Sequence, residues 1–458
     1  MALADAFRVR GPLSRGRYAV LGAGLALAKV NVDRLLASVH GRYWDPIHYW
    51  IPGERLGELS RADLPLYASL AAVAVPFVWT GVLLTLRRLR DAGLPVWLVA
   101  LFFVPFVNLL LFLALCVAPT QGAADRSGPY SGPLERLVPR GKWASAAAGL
   151  GLAAVLSVLL TLLGTVVLGT YGWGLFVGIP FLSGLLSALL YGYRGPRSVR
   201  SSVGVAVTSV WLASLLLIGL AIEGAICIVM AAPLAGAVAA LGGLVGYGLQ
   251  RHGPRPRAAG GVCSVAILAL PLLLGVETVS AREPAVTPVR TSVIVAAPPQ
   301  VVWRHVVSFS ELPPPQGLLF RSGVAYPTSA HIEGEGVGAI RRCRFSTGDF
   351  VEPITRWEEP RLLAFSVASQ PAPMRELSPW GSIHPPHLDG FLLSRRGEFR
   401  LRALPGGRTL LEGTTWYENR MWPAAYWRLW SDELIHRIHR RVLEHVAREA
   451  ERDVRLPD

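Results

Sequence analysis

Charged residues, lysine and cysteine are all scarce in this chain. Charged side chains make up 17% of its 458 residues and hydrophobic ones 52%, a balance that excludes an ordinary soluble fold for the whole chain. Lysine occurs only at Lys29 and Lys142, so arginine carries nearly all of the positive charge. The four cysteines have neither metal-binding nor redox spacing, which predicts no disulfide and no zinc–thiolate site. They are Cys116, Cys227, Cys263 and Cys343.

Motifs of the common enzyme classes are also missing. The chain has no nucleophile elbow, phosphate-binding glycine loop or paired-carboxylate motif. The sequence therefore favours a protein that is not an enzyme, and no cofactor is predicted. A signal-peptide pattern is missing too, because the first apolar stretch starts at Tyr18 and lacks a small-residue cleavage site. The first span is expected to stay in the mature protein.

The positive charge lies mainly in the first half of the chain. The net charge is +14, and residues up to Ser280 contain 22 Lys and Arg against 11 Asp and Glu, whereas the rest contains 23 against 20. The excess falls in short loops and near the N-terminus, as anionic headgroups and the positive-inside rule would favour. Membrane lipids are therefore predicted partners, and nucleic acid is not.

Eight apolar segments precede Pro284, and crossing a bilayer takes about 20 apolar residues. They predict a polytopic α-helical membrane bundle of about seven to eight spans. In the first segment Lys29 and Asp33 lie four residues apart, so an ion pair between them is predicted. The segments are residues 18–39, 64–86, 95–118, 143–168, 173–191, 203–222, 226–249 and 262–279.

Two topologies fit these segments. Eight crossings return the C-terminal region to the side of the N-terminus, but they place the arginines of 194–200 and 251–257 outside, against the positive-inside rule. If the segment containing Pro105 and Asn108 re-enters the membrane or breaks, these basic loops lie inside and the C-terminal region lies outside. The basic loops favour the second arrangement.

After Pro284 the pattern changes to the period-two runs typical of strands. A short helix is predicted at 298–309 and a long terminal helix from about 423 to 451, where apolar residues recur at helical spacing. Pro-Gly-Gly at 405–407 predicts a hairpin turn. The predicted strands are residues 289–297, 338–347, 350–358, 362–369, 399–405 and 408–418.

This order of elements resembles that of the START-like superfamily, also called SRPBCC, over about 287–452. The resemblance implies an α+β helix-grip domain, in which a curved antiparallel sheet wraps around the terminal helix and leaves a deep apolar cavity. The superfamily includes lipid-transfer proteins, polyketide aromatase/cyclases, carriers and oxygenase subunits, so it implies no single function. The motifs that carry the resemblance are Ala297, Pro299, Val302 and Trp303, then Gly336, Gly338 and Arg342, then the run from Trp357 to Pro360.

The first 135 residues resemble the small bacterial inner-membrane domain of unknown function 805. They share an entry motif at 10–18, the run RRLRDAG at 87–93 and a GPYSGP ending. That family usually has His where Arg90 stands. The resemblance implies a multi-pass protein of the cell inner membrane. The candidate functional residues of this basic run are Arg87, Arg88 and Asp91.

Two histidines of the predicted terminal helix, His436 and His439, are candidate metal ligands, because imidazoles three residues apart on a helix can share an ion. A site would need a third ligand, which His331, Glu333 or Asp389 could supply. The competing interpretation places both imidazoles on an arginine-rich surface. No carboxylate completes a motif, so no metal site is predicted.

Residues 371–390 are too rich in proline for a regular element and too long for a simple turn. They are equally suited to be the lid of a cavity or a structural cover that lies over a sheet edge or meets the membrane half. The segment supplies four candidates for the cavity or its mouth: Met374, Trp380, His384 and His387.

Aromatic residues cluster around the start of the terminal helix. Core packing is the ordinary interpretation, and a membrane-interface belt at the cavity mouth is the alternative. The candidates here are Trp416, Tyr417, Trp427 and Trp430.

In the membrane half, Glu223 is a candidate because carboxylates within a bilayer are rare. A turn between two spans at this point is preferred, which would leave Glu223 in water.

The sequence predicts three regions: a membrane domain at 1–135, further transmembrane helices at 136–282 and a START-like domain at 283–458. The favoured function is the binding of a hydrophobic small molecule or lipid at the membrane surface. The alternatives are an enzyme of the aromatase/cyclase type acting on a polyketide or lipid, and a ligand-sensing or interaction module coupled to the membrane bundle. The sequence indicates no oligomeric state.

Overall fold

The structure, a computed structural model, divides the chain into two compact units. The first contains Met1–Leu216 and Ala231–Arg282, and the second contains Leu217–Met230 and Glu283–Asp458. A short piece of the apolar half therefore belongs to the globular unit. The described residues are 13–40, 42, 44, 64–92, 94, 96–103, 107–118, 141–195, 197–252, 270–271, 273–277, 284–315, 317–379 and 381–455.

Helices make up the described apolar half. They are α1 (Arg15–Val39), α2 (Leu64–Asp91), a 3-10 helix (Val96–Phe103), α3 (Val107–Val117), α4 (Lys142–Leu162), α5 (Ile179–Tyr191), α6 (Val199–Gly219) and α7 (Ala225–His252). A π-helical turn follows α4 at Leu163–Val167, and another precedes α5 at Gly174–Gly178. Residues 270–271 and 273–277 are helical as well.

Five helices among the described residues are long and apolar enough to cross a membrane, so the chain is a membrane protein. The finer count of seven to eight spans stays a prediction. Segment 18–39 forms α1, where the predicted ion pair between Lys29 and Asp33 is confirmed. Segment 95–118 is divided between the 3-10 helix and α3, and most of 262–279 lies outside the described residues. The five helices are Pro65–Asp91, Lys142–Val167, Gly174–Tyr191, Val199–Gly219 and Ala225–Arg251.

Helix α5 is the centre of the first unit, and every one of its residues is buried. Small residues let its neighbours approach closely, as is usual between helices in lipid. A Cβ on Gly184 would overlap the backbone of Ala239 in α7, and one on Gly242 of α7 would overlap the carbonyl of Phe181. The α5–α7 contact therefore depends on glycine on both helices.

A seven-stranded antiparallel sheet forms most of the second unit, in the order β1-β9-β8-β5-β4-β3-β2. All six predicted strands are present, but β2 and the β6–β7 hairpin were not predicted. The predicted turn at 405–407 joins β8 to β9, with positive φ at Gly406 and Gly407. The strands are β1 (Thr287–Val295), β2 (Pro327–Glu333), β3 (Ile340–Phe345), β4 (Gly348–Glu358), β5 (Leu362–Ser366), β6 (Glu376–Ser378), β7 (Gly381–Ile383), β8 (Leu392–Leu404) and β9 (Arg408–Asn419).

The terminal helix packs on this sheet. The remaining helices are α8 (Pro299–Val307), α9 (Leu318–Arg321), a 3-10 turn (Pro386–Leu388) and α10 (Ala424–Arg455). One face of α10 buries Val442, Leu443 and Val446 in a core shared with the strands and α8, because these residues recur at helical spacing. A curled antiparallel sheet that holds one long helix is a fold of helix-grip type.

Candidate functional site

A groove of about 390 Å³ runs along α10 in the second unit. This volume lies within the range of about 300–1,000 Å³ that is usual for small-molecule sites. One wall comes from the connection between α8 and β2, and the other from α10. The lining residues are Pro315, Gly317, Leu319, Phe320, Glu433, His436, Arg437, Arg440, Arg441, Glu444 and Arg448.

The sequence of α10 explains the charged wall of the groove. Its buried positions, such as Leu434 and Val442, alternate at helical spacing with exposed ones, such as Arg440, Glu444 and Arg448. The opposite wall is mainly apolar, because Leu319 and Phe320 lie there. The groove therefore has one charged wall and one apolar wall.

The four arginines of the groove differ in what they contact. Arg437 Nε donates to Glu433 Oε1 at 2.6 Å, and Arg441 donates to backbone carbonyls and lies over the ring of Tyr326. Arg440 and Arg448 form neither a hydrogen bond nor an ion pair with any residue that the structure describes. Their guanidinium groups are therefore available to an anionic ligand.

Beneath the groove, two imidazoles contact threonine hydroxyls of the sheet. His436 Nδ1 lies 2.8 Å and His439 Nδ1 3.1 Å from Thr291 Oγ1, and His439 Nε2 lies 2.8 Å from Thr415 Oγ1. Burial, helped by the neighbouring His436, lowers the pKa of His439 to about 4. Both imidazoles are therefore hydrogen-bonded to threonine hydroxyls, and His439 is neutral at pH 7.

An ion pair lies in the interior of the same unit. Arg341 on β3 contacts Glu352 on β4, and the rings of Phe309, Phe365 and Phe399 lie 5.1–5.7 Å from the guanidinium. Burial raises the pKa of Glu352, although Arg341 acts to lower it. The three rings belong to the core beneath α10 or pack against it, where the family resemblance implies a cavity.

A second polar cluster forms around Glu376 of β6. Its carboxylate accepts hydrogen bonds from the backbone N–H groups of Ile226 (3.2 Å) and Cys227 (3.0 Å) in the first turn of α7. A carboxylate is favoured at this place, because the N-terminal N–H groups of a helix lack partners and carry partial positive charge. All of these residues belong to the second unit.

The imidazole of His387 completes this cluster. Its Nε2 lies 2.9 Å from Cys227 Sγ and 3.8 Å from Glu376 Oε1, and its Nδ1 lies 3.2 Å from Glu223 Oε2. Burial acts to lower the pKa of His387, but the carboxylates of Glu223 and Glu376 outweigh it and raise the pKa to about 9. Cys227, Glu376 and His387 are the described residues whose ligand atoms stand close enough to hold a metal ion.

The structure distributes the predicted mouth residues over several places. Met374 is buried, His384 contacts Asp389 at 2.8 Å in an exposed pair, and His387 lies in the cluster just described. Trp380 lies outside the described residues. None of the described candidates from 371–390 lines the groove along α10. Glu376 and His387 of this segment contact residues of 217–230 instead, and a role of the segment at a cavity mouth stays a prediction.

The aromatic candidates are likewise engaged elsewhere. Tyr417 is buried and bonds Ser431 and Asp432, Trp427 is buried, and Trp416 stacks on the guanidinium of Arg396 at 4.2 Å. Trp430 is half-buried on α10. None of the four lines the groove along α10, and a cavity mouth at the start of the terminal helix stays a prediction.

In the membrane half, Arg88 is fully buried in the first unit. It donates to the carbonyl of Leu115 at 2.9 Å and to that of Ala118, and its Nη1 lies 2.7 Å from Asp91 Oδ2. Arg87 is also buried. Arg88 thus satisfies the carbonyl groups at the C-terminal end of α3, which have no partner within the helix.

Glu223 lies in the turn between α6 and α7, at the preferred position. The expectation that water surrounds it is wrong, because its residue exposure is 6% and His387 covers it. From the sequence, Cys227 was assigned no metal or redox role, and Glu376 was not singled out. They are separated by 149 residues, and no motif links residues that far apart.

Two family models match parts of the chain. Residues 6–129 match "Protein of unknown function (DUF805)", and residues 287–421 match "Polyketide cyclase / dehydrase and lipid transport". Each model covers less than half of the chain. No curated protein matches it.

Solved structures of START-like and cyclase-like fold resemble the C-terminal part. The ZhuI aromatase/cyclase from Streptomyces sp. R1128 is 21% identical over 37% of this chain and 96% of its own, with a TM-score of 0.24. A protein from Nitrosospira multiformis is 19% identical over 37% and 100%, with a TM-score of 0.24. Norcoclaurine synthase from Thalictrum flavum is 10% identical over 39% and 98%, also at 0.24. Likenesses this low support no transfer of activity.

The chain thus combines an N-terminal match to the DUF805 family with a C-terminal match to the polyketide cyclase and lipid-transport family, in a protein with membrane-spanning helices.

Proposed function

We propose that the C-terminal unit binds an anionic amphiphile, such as an acidic lipid or a fatty acid, at the membrane surface. The observation that carries this proposal is the groove along α10, which combines two unpaired guanidinium groups with an apolar wall. The acidic head would contact Arg440 and Arg448, and the apolar chain would lie against Leu319 and Phe320.

The chemistry of the groove favours an amphiphile over a purely polar anion. Guanidinium groups bind carboxylates and phosphates through charge-assisted hydrogen bonds. Apolar contact adds about 0.8 kcal/mol for each CH₂ group that leaves water. A protein with membrane-spanning helices also meets such molecules at high local concentration, and the match to a lipid-transport family supports this assignment.

The other two functions stay predictions. Chemistry of the aromatase/cyclase type would need a general acid or base at the pocket. In this groove His436 contacts Thr291 and Glu433 contacts Arg437, so these two groups are already engaged. A sensing function would use the same ligand site and differ only in the response of the membrane helices.

The test is binding of a fluorescent long-chain fatty acid to the full-length protein in an uncharged detergent. The R440Q/R448Q variant is expected to weaken binding by about tenfold for each lost charge-assisted contact of about 1.5 kcal/mol. A matched control is Arg402→Gln, which removes an exposed arginine of β8 that does not line the groove.

Two results would contradict the proposal. The first is equal binding of the corresponding long-chain alcohol, which lacks the charge. The second is equal weakening by R402Q. Native mass spectrometry of the purified protein would also identify any amphiphile that co-purifies and give the number of molecules bound per chain.

A further inference from the structure

The cluster around His387 brings together a thiol, an imidazole and a carboxylate from three distant segments. Cys227 lies in the first turn of α7, Glu376 in β6, and His387 in the 3-10 turn that follows β7. Their ligand atoms all lie within 4.8 Å of one another. Such a combination is unusual for a structural contact, because all three groups can ionise and two of them, Glu376 and His387, are buried.

We propose that Cys227, Glu376 and His387 bind one zinc ion, with Glu223 holding the second nitrogen of the imidazole. This site is independent of the groove along α10, and it shares no residue with it. It would fasten the 371–390 segment to the first turn of α7 within the second unit.

The distances agree with this assignment. Tetrahedral zinc with bonds of about 2.0–2.3 Å separates its sulfur, nitrogen and oxygen ligands by about 3.3–3.6 Å. The observed separations of 2.9 Å between Cys227 Sγ and His387 Nε2, and of 3.8 Å between that nitrogen and Glu376 Oε1, lie on either side of this range. Side-chain rotations that move each ligand atom by a few tenths of an ångström would suffice to admit the ion.

The orientation of His387 fits as well. Its Nε2 faces Cys227 and Glu376, while its Nδ1 faces the Glu223 carboxylate at 3.2 Å. Histidine ligands of zinc usually donate their other ring N–H to a carboxylate or carbonyl, which fixes the ring and strengthens the metal bond. Glu223 therefore acts as a positioning residue, outside the metal's own ligands.

The ligand types select the metal. A thiolate with an imidazole suits zinc, whereas magnesium and calcium prefer sites made of oxygen. Three protein ligands leave one position, which a water molecule or the second oxygen of Glu376 would fill.

Charge and burial point the same way. The side chains of Glu376, His387 and Glu223 are 0%, 2% and 8% exposed, so two carboxylates stand in a nearly dry site. Carboxylates buried in this way need compensating charge. Without a metal ion, the imidazolium of His387 and the partial charge at the N-terminus of α7 compensate the carboxylates; a divalent cation bound by Cys227, Glu376 and a deprotonated His387 would take over this role.

The experiment measures metal content of the full-length protein, purified in detergent with a histidine-free affinity tag after growth with added zinc. About one zinc per chain is expected, and Cys227→Ser and His387→Gln should each lose most of it. Two substitutions serve as matched controls and should retain the metal. They are Cys116→Ser, another thiol in an apolar segment, and His384→Gln, an exposed imidazole three residues from His387.

Cobalt replacement provides a second measurement that does not depend on zinc affinity. The wild-type protein loaded with Co²⁺ should show thiolate-to-cobalt charge-transfer absorption, and C227S should not. Wild-type protein that contains no stoichiometric zinc and gives no such absorption would overturn the proposal, whether or not the variants fold. Equal loss of metal in C116S or H384Q would overturn it too.

Discussion

At the scale of single residues, His439 links the stability of the second unit to pH. It stands against Thr291 and Thr415, and its pKa of about 4 lies below the ordinary value of 6.5. Below pH 6.5 the unfolded chain therefore binds a proton that the folded chain does not, and stability falls as the pH decreases towards 4. The desolvated ring of His439 therefore lowers the free energy of unfolding in acid and has no such effect at neutral pH.

This penalty can be measured against His439→Gln, which keeps a polar group near Thr415 but does not titrate. Between pH 7.5 and pH 5, the free energy of unfolding of the wild type should fall by about 2 kcal/mol more than that of the variant. Thermal or denaturant unfolding of the full-length protein in detergent gives the comparison. Equal pH dependence of the two proteins would show that His439 is accessible to protons when folded.

The cluster around His387 could not be predicted from its residues taken one at a time. Cys227 stands in an apolar segment and Glu376 in a proline-rich one, so each has an ordinary explanation alone. Only the fold brings them together, across 149 residues of chain. Glu223 was found because a carboxylate between two apolar segments is rare, but its partner His387 was assigned to a different role.

At the scale of elements, helix α5 depends on close backbone contact. A methyl group on Gly184 would overlap the backbone of Ala239, whereas a methyl group on Gly204 of α6 would have nothing within 4 Å. Gly184→Ala should therefore separate α5 from α7, at a cost of about 1–3 kcal/mol, while Gly204→Ala should be neutral or slightly stabilising.

Thermal inactivation of the two variants in the same detergent measures the difference. The matched pair makes the same chemical change in two helices of similar composition, so helix propensity cancels. If both variants lost stability equally, packing at Gly184 would not be the cause.

Elements with a strong repeat could be predicted from the sequence. The terminal helix was expected at about 423–451 and extends over Ala424–Arg455, because its apolar residues recur at helical spacing. Strand β2 was missed because its sequence, PTSAHIE, alternates weakly. The groove was missed because its apolar wall, Leu319 and Phe320, lies in helix α9, and a helix of four residues is too short to show a period from which a partner could be inferred.

At the scale of the whole molecule, we predict from residues of α6 and α7 which side of the membrane carries the C-terminus. Their connecting turn belongs to the same unit as the globular sheet. The other ends of these two helices carry Arg197, Arg200 and Arg251, which the positive-inside rule places in the cytoplasm. Helices of 21 and 28 residues are long enough to cross the bilayer, so we expect the C-terminus on the opposite side.

Reporter fusions in a bacterial host test this topology. Alkaline phosphatase attached after Asp458 should be active and green fluorescent protein at that site should be dark. A fusion after His252, next to the arginines of the basic loop, should show the reverse. Fluorescence at the C-terminus would instead place the globular unit in the cytoplasm.

The membership of residues 217–230 in the globular unit has a consequence for any attempt to dissect the protein. A recombinant fragment that begins at residue 283 would leave Glu376 without the N–H groups of Ile226 and Cys227, and His387 without Glu223. The side chains of Glu376 and His387 would then be exposed to solvent, on a surface that residues 217–230 cover in the full-length protein. To keep these contacts, an isolated form of this unit must include residues 217–230, with a linker in place of most of α7 that connects them to the sheet.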